Sequence, residues 1–343
     1  MNLREIANLA GVSSATVSLV LNNKKGVGYA KRREIAQLLA ENGYSIAQTS
    51  VSDRALNRNI RFLKYVAHTK LVNDNPGFVS TIIDAIESEC RKNKYELVIS
   101  NVNSVDGLRK QVLESQSSGF LLLGTELADE DIDILSEAVK PIVIVDNDAA
   151  RLNCPAITMN NKAAVFSAVK HLYDLGHRHI GFLSNLQPSS NCEARRSAYI
   201  EAVHQAGLTE LVYPVNMTMD GAHDSVEAML KRGEQFPSAI IANNDSIAIG
   251  AICAFKQAGL SVPEDISVVG FDDIPFSKAF SPSLTTVSVP CAAIGEQSVD
   301  MLIKLINNPS SIPTKEYFGT KLIVRGSTIQ AGTGREHRNL MKS

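Results

Sequence analysis

Apolar positions open the chain in helical rhythm: Leu3, Ile6, Ala7 and Ala10 fall on one face of a helix. Gly11 then supplies a sharp turn, and Ser13 or Ser14 can cap a second helix whose core side is Val17, Val20 and Leu21. Two short helices joined by a few residues around a glycine form a helix-turn-helix pattern. The spacing predicts a third helix from about Ala30 to Asn42. It carries Ile35, Leu38 and Leu39 inward and Lys31, Arg32 and Arg33 outward, and Gly43 ends it.

From Ile60 the pattern changes. Short apolar runs recur at Ile60–Val66, Leu97–Ile99, Phe120–Leu123, Ile142–Val145, His179–Leu183, Ala239–Ala242 and Ser267–Phe271. Helical stretches separate them, among them 79–92, 163–175, 194–206, 246–257 and 294–306. Strands apolar on both faces and alternating with helices predict parallel, doubly wound α/β sheets. Arg61 and Lys64 fit poorly inside the first strand. Ligands gather at the carboxyl ends of such strands. The residues expected there are Asn101, Thr125, Asp146-Asn147, Asn244-Asp245 and Asp272-Asp273. One such acid is an ordinary helix cap; several from both halves of the chain suit the hydroxyls of a sugar or nucleoside.

Charge divides the chain at the same place. Residues 1–64 hold ten Lys/Arg against four acids, a net of +6, while the 343-residue chain stands at −2 and the remainder therefore at −8. A basic head on an acidic body is the footprint of a small nucleic-acid-binding module attached to something with another task. The composition, 44% apolar and 20% charged, is that of an ordinary globular protein. No apolar run reaches membrane-spanning length and no secretory segment opens the chain, so a cytoplasmic protein is expected. Five scattered cysteines without a C-x-x-C pair are expected to be reduced thiols. His171, His177 and His179 lack acids or cysteines at ligand spacing, so neither metal nor cofactor is expected. Catalysis has nothing to rest on: there is no P-loop, no G-x-S-x-G and no convincing acid–base pair.

The run LREIANLAGVSSATVSLVLNNKKGVGYAKRREIAQLLAENGYS resembles the DNA-binding head of the LacI/GalR (lactose-repressor) regulators almost residue for residue. HLYDLGHRHIGFLS, PSAIIANND, GLSVPEDISVVGFDDIPFSKAFSPSLTTV and LIVRGST extend the resemblance through the body. It implies a helix-turn-helix head at 1–45, a hinge or linker at 46–59, a two-lobed periplasmic-binding-protein-like body for effector binding and dimerisation at 60–330, and a flexible tail at 331–343. The DNA-facing set is then Ser14, Ala15, Thr16, Ser18, Leu19 and Asn22. In the linker, Ser52 can cap a short helix, Leu56 is the candidate minor-groove wedge, and Arg54 and Arg58 reach phosphates. A flexible linker with no wedge is the alternative. Leu19 stands where the family usually has arginine. It either meets thymine methyls or packs against the hinge or a partner head. Without arginine's bidentate guanine contact, A·T-rich half-sites are expected.

By the same resemblance, the effector is held between the lobes by Arg195, Asp245 and Asp272, with Phe78 and Asp146 contributed by the first lobe. Arg195 would donate a fork of hydrogen bonds, Asp245 and Asp272 would accept from hydroxyls or amines, and Phe78 would offer an apolar face. Asn160 replaces the family's usual acid in its D-N-x-x-G-A pattern, which here reads Asn160-Asn161-Lys162-Ala163-Ala164. The implied protein is a homodimeric repressor on an inverted-repeat operator, controlled by a small metabolite, expected to be a carbohydrate. The competing expectation is a cytoplasmic sugar-binding module with weak or non-specific DNA contacts.

Overall fold

A computed structural model describes the chain except for residues 23, 25, 45–57, 67–71, 73–75, 187–188 and 333–343. The predicted linker contacts of Arg54 and Leu56, and nearly all of the tail, lie outside the described residues. Three helices open the chain: α1 (Leu3–Leu9), α2 (Ser14–Leu21) and α3 (Tyr29–Glu41). Asn2 caps α1 in a reciprocal box with Glu5, which the hydrophobic rhythm alone does not reveal. Gly11 and Gly43 take the positive φ that their turns demand, +63° and +79°. Ile6, Ala7, Ala10, Val17, Val20, Val27, Ile35, Ala36 and Leu39 make one closed core.

Among the described residues, the remaining chain builds two six-stranded sheets. The first contains β1 (Asn59–Tyr65), β2 (Glu96–Val102), β3 (Gly119–Leu123), β4 (Ile142–Val145), β5 (Ala156–Met159) and β11 (Lys315–Phe318), in the order β11-β5-β4-β3-β1-β2. The second contains β6 (Ile180–Asn185), β7 (Val212–Val215), β8 (Ala239–Ala242), β9 (Ser267–Asp272), β10 (Thr285–Ser288) and β12 (Lys321–Ile323), in the order β12-β10-β9-β8-β6-β7. Pairings from β1 to β5 and from β6 to β10 are parallel; β12 runs antiparallel to β10. Helices join the strands: α4 (Pro76–Lys92), α5 (Val105–Glu114), α6 (Asn161–Asp174), α7 (Ser190–Gln205), α8 (Met219–Lys231), α9 (Asp245–Gln257), the short α10 (Pro275–Ala279) and α11 (Cys291–Asn307). A 3₁₀ segment at Asp129–Glu137 lies between β3 and β4.

Two compact units result. The first takes residues 1–70, 81–158 and 292–316; the second takes 71–80, 159–291 and 317–343. In each sheet the chain first moves outward to an edge strand and then returns across the starting strand. The reversal falls between β1 and β3 in one unit and between β6 and β8 in the other. Ligands of open α/β sheets bind at such a switch point, outside the strands' carboxyl ends.

Several expectations need revision. Asn101 does not follow β2 but lies within it, exposed, because the strand extends to Val102. Arg61 is accommodated in β1 by donating to Ser117 Oγ at 3.2 Å and Ser100 Oγ at 2.7 Å. Phe78 belongs with the second unit, since residues 71–80 cluster there. Lys31 and Arg32 do not simply point outward. Lys31 Nζ donates to the Ala10 carbonyl at 3.1 Å and Arg32 Nη2 to that of Lys24, closing open ends of backbone.

Candidate functional site

The recognition surface begins with a cap. Ser13 Oγ accepts from the Thr16 amide at 3.1 Å, fixing the first turn of α2. Val17 and Val20 are fully buried, which turns Ser14, Ala15, Ser18 and Asn22 to solvent. Asn22 Nδ2 donates to the Ser18 carbonyl at 2.9 Å and to Ser18 Oγ at 3.2 Å, so these two side chains are already coupled. Thr16 is half-buried, its hydroxyl 2.9 Å from that of Ser13. Leu19 is also half-buried and packs on the head's own core; a Cβ at Gly26 would lie 3.7 Å from its Cδ1. No charged residue lies in α2, so its exposed face offers hydroxyls, an amide and methyls but no cation.

The second unit concentrates polar side chains at its switch point. Arg195, on α7, is 6% exposed, and its guanidinium carbon lies 3.6 Å from the Phe271 ring centroid. Its Nη1 donates to the Asn243 carbonyl at 2.7 Å and its Nε to Asn161 Oδ1 at 2.9 Å. Asn161 Nδ2 in turn donates to Asn191 Oδ1 at 2.8 Å. Asp272, the last residue of β9, places Oδ1 3.7 Å from Arg195 Nη2. Asp272 and Asp273 both hold positive φ, +107° and +57°. Burying an arginine is costly unless its donors and charge are matched, and here they are.

Asp245 has a different environment. It follows the α9 cap Asn244, is fully buried, and accepts from the Ile274 amide at 2.9 Å, from Ser277 Oγ at 2.6 Å and from Thr286 Oγ1. Burial pushes its carboxyl up to about 6, although those three bonds favour the charged form. The carboxylate thus ties α9 to α10 and β10, and its oxygens are spent on these donors within the fold rather than offered to effector hydroxyls, contrary to what the resemblance implies. In the first unit, Asp146 follows β4 at φ +64°, is buried, and accepts from Thr125 Oγ1 at 2.5 Å. Asn147 beside it donates to the Gly124 carbonyl at 2.8 Å. Phe78, in the first turn of α4, is 7% exposed.

Asn160, in place of an acid, still caps α6 by accepting from Ala163 N at 3.0 Å. Asn161, Asn191, Asn243 and Phe271 escaped the sequence reading. The doubled Asn160-Asn161 was the available signal. His177 contacts Ser238 Oγ at 2.9 Å and the Ile329 carbonyl at 3.0 Å, and His171 contacts Thr328 Oγ1 at 3.2 Å. Both fasten residues 328–329 to their lobe. Among the described residues, no three His, Cys, Asp or Glu side chains gather to hold a metal, and no helix is long and apolar enough to cross a membrane.

Comparison with known proteins agrees with these features. The profile for bacterial regulatory proteins of the lacI family matches residues 2–45, and that for periplasmic binding protein-like domains matches residues 169–328. The ribose operon repressor of Haemophilus influenzae is 30% identical over 317 residues, covering 90% of this chain and 92% of its own. Among solved structures, the transcriptional regulator CelR in complex with cellobiose superposes with a TM-score of 0.71 at 24% identity, over 95% of this chain and 99% of its own. The lac repressor dimer bound to operator and the anti-inducer ONPF gives a TM-score of 0.69 at 24% identity, over 96% and 99%. These two share the fold. The chain belongs to the lacI family of bacterial regulatory proteins: it is a transcriptional regulator rather than an enzyme, with a helix-turn-helix head and a periplasmic-binding-protein-like body.

Proposed function

We propose that the protein is a repressor that binds an inverted-repeat operator as a homodimer and whose operator affinity is set by a small carbohydrate. Two heads related by a two-fold axis read two half-sites, with Ser14, Ala15, Ser18 and Asn22 toward the bases and the half-buried Thr16 and Leu19 presenting only their outer edges there. The observation that carries the effector half is the buried Arg195 stacked on Phe271 and facing Asp272 at the second unit's switch point. A stacked guanidinium with a neighbouring carboxylate offers a flat apolar face, donors and an acceptor together, which is the chemistry a sugar ring requires. Asp146 contributes an acceptor and Phe78 an apolar surface, while Asp245 holds the strand ends in place. Effector binding and DNA binding are then coupled reciprocally through two global states. The lac repressor and CelR complexes support this arrangement by analogy: one is a dimer on operator, the other holds cellobiose.

Selection of sites by the full-length protein from a random DNA pool, at two salt concentrations, tests the first half. An enriched palindrome with A·T-rich halves is expected; binding that only fades with salt, without enrichment, refutes it. The second half is tested by titrating D-ribose and cellobiose against the operator complex. Arg195→Ala abolishes the response while operator binding persists. A well-folded variant that loses both overturns the assignment.

A further inference from the structure

Asn243 sits one residue beyond β8, at the strand end where the second sheet reverses direction. Its backbone is anchored on both sides: its N–H donates to the Leu183 carbonyl at 3.2 Å, and its carbonyl accepts from Arg195 Nη1 at 2.7 Å. Its side chain is 2% exposed, yet neither Oδ1 nor Nδ2 finds a partner among the described residues. The neighbouring polar groups are committed elsewhere. Asn161 serves Arg195 and Asn191, and Arg195 serves Asn161 and Asn243's own carbonyl. A primary amide enclosed with both ends unmatched is destabilising, and native proteins rarely keep one without use.

We infer that Asn243 is a specificity-determining residue of the effector site, its amide completed by an uncharged ligand edge that carries a donor and an acceptor side by side. The inference rests on the effector reading above but adds a residue and a chemistry to it. The amide supplies one acceptor oxygen and two donor hydrogens in a plane. A vicinal diol meets it with one hydroxyl donating to Oδ1 and the other accepting from Nδ2. A nucleobase or carboxamide edge meets it in the same way. An anionic group does not, because it would present acceptors to Oδ1. Arg195, the neighbouring cation, already faces Asp272 and stacks on Phe271.

Two measurements on the full-length protein test this. In urea without ligand, Asn243→Ala is expected to keep the folded-to-unfolded ratio within tenfold of wild type, or to raise it. Losing an orphaned amide removes a penalty, whereas losing a structural hydrogen-bonding residue does not. A fall of more than tenfold overturns the inference. In calorimetric titrations the probes are D-ribose against 2-deoxy-D-ribose for the diol, and adenine against purine for the base edge. Whichever probe binds wild type is expected to bind Asn243→Ala at least tenfold more weakly, with discrimination against its truncated analogue lost. Unchanged affinity in Asn243→Ala, while Arg195→Ala abolishes binding, overturns the role of Asn243 and leaves the effector reading standing. Tighter binding of ribose 5-phosphate than of ribose by wild type also overturns it. If wild type binds no probe, the carbohydrate assignment loses support, and the urea measurement alone decides the role of Asn243.

Discussion

Asp245 makes the physics of the second unit measurable. The perturbation is Asp245→Asn, which keeps the shape and one acceptor oxygen but removes the titratable charge. In the folded protein burial holds this carboxyl at about 6, against about 3.9 in an unfolded chain. The folded state therefore binds the proton more tightly than the unfolded state between those two values. Stability falls wherever the folded state holds more protons as pH rises, so the wild type loses stability from about pH 4 to about pH 6 and changes no further above that. About two pH units at 1.36 kcal/mol each amount to about 3 kcal/mol. The ionised form persists at neutral pH because Ile274, Ser277 and Thr286 donate to it. Urea unfolding of both proteins at pH 4.5, 6 and 7.5 isolates the effect: the wild-type-minus-variant difference should decline by about 1–3 kcal/mol across that range, with matching m-values. A flat difference, or one that grows with pH, would refute the claim that desolvation outweighs the three hydrogen bonds.

Two further substitutions separate the parts. Ile35→Ala empties a fully buried position of the three-helix core, at about 2–5 kcal/mol, comparable with everything so small a unit has to spare. Operator retention in gel shifts should vanish, while limited proteolysis still yields an intact body. Gly250→Ala tests helix packing. An added Cβ would run into the Met219 carbonyl oxygen of α8 and lie 3.0 Å from the His223 amide nitrogen. Backbone of a neighbouring helix cannot swing aside. A change that usually stabilises a helix interior by about 0.5–1 kcal/mol should here lower stability by about 1–3 kcal/mol, read as a lower urea midpoint.

What the sequence disclosed follows from which interactions are local. The head was legible because its helices, turn glycine and cap are set within a few residues of one another, down to Gly11 and Ser13. Strands β4 and β8 were bounded correctly because runs such as IVIV and AIIA, buried on both faces, have no other use. Strand β10 was missed because Thr285, Thr286 and Ser288 read as polar. The two threonines are buried, their hydroxyls bonded to Thr328 and Asp245, which are distant in sequence. Strand β7 was missed because Pro214 argues against a strand, but an edge strand tolerates proline. In the site, Arg195 and Asp272 came from motif correspondence. The Asn191–Asn161–Arg195 relay did not, because asparagines scattered over thirty-odd residues carry no periodic signal.

The two units share a device that their sequences conceal. Strand orders β11-β5-β4-β3-β1-β2 and β12-β10-β9-β8-β6-β7 correspond place for place, so β4 and β9 occupy equivalent positions one strand beyond the switch point. A buried aspartate at positive φ stands at the carboxyl end of each, Asp146 directly after β4 at +64° and Asp272 as the last residue of β9 at +107°. Few non-glycine residues hold a positive φ, asparagine and aspartate foremost among them. Such a conformation kept twice at matching strand ends points to use rather than packing. Asp146→Asn examines this directly. Asparagine tolerates the left-handed conformation and still accepts from Thr125, so stability should stay within about 0.5 kcal/mol of wild type. Effector affinity should fall at least tenfold, because a charged acceptor becomes a neutral one and charge-assisted bonds are roughly twice as strong. If the variant is as stable as expected and binds its effector undiminished, the acid at the end of β4 serves the strand rather than the ligand, and the correspondence between the two units is one of architecture alone.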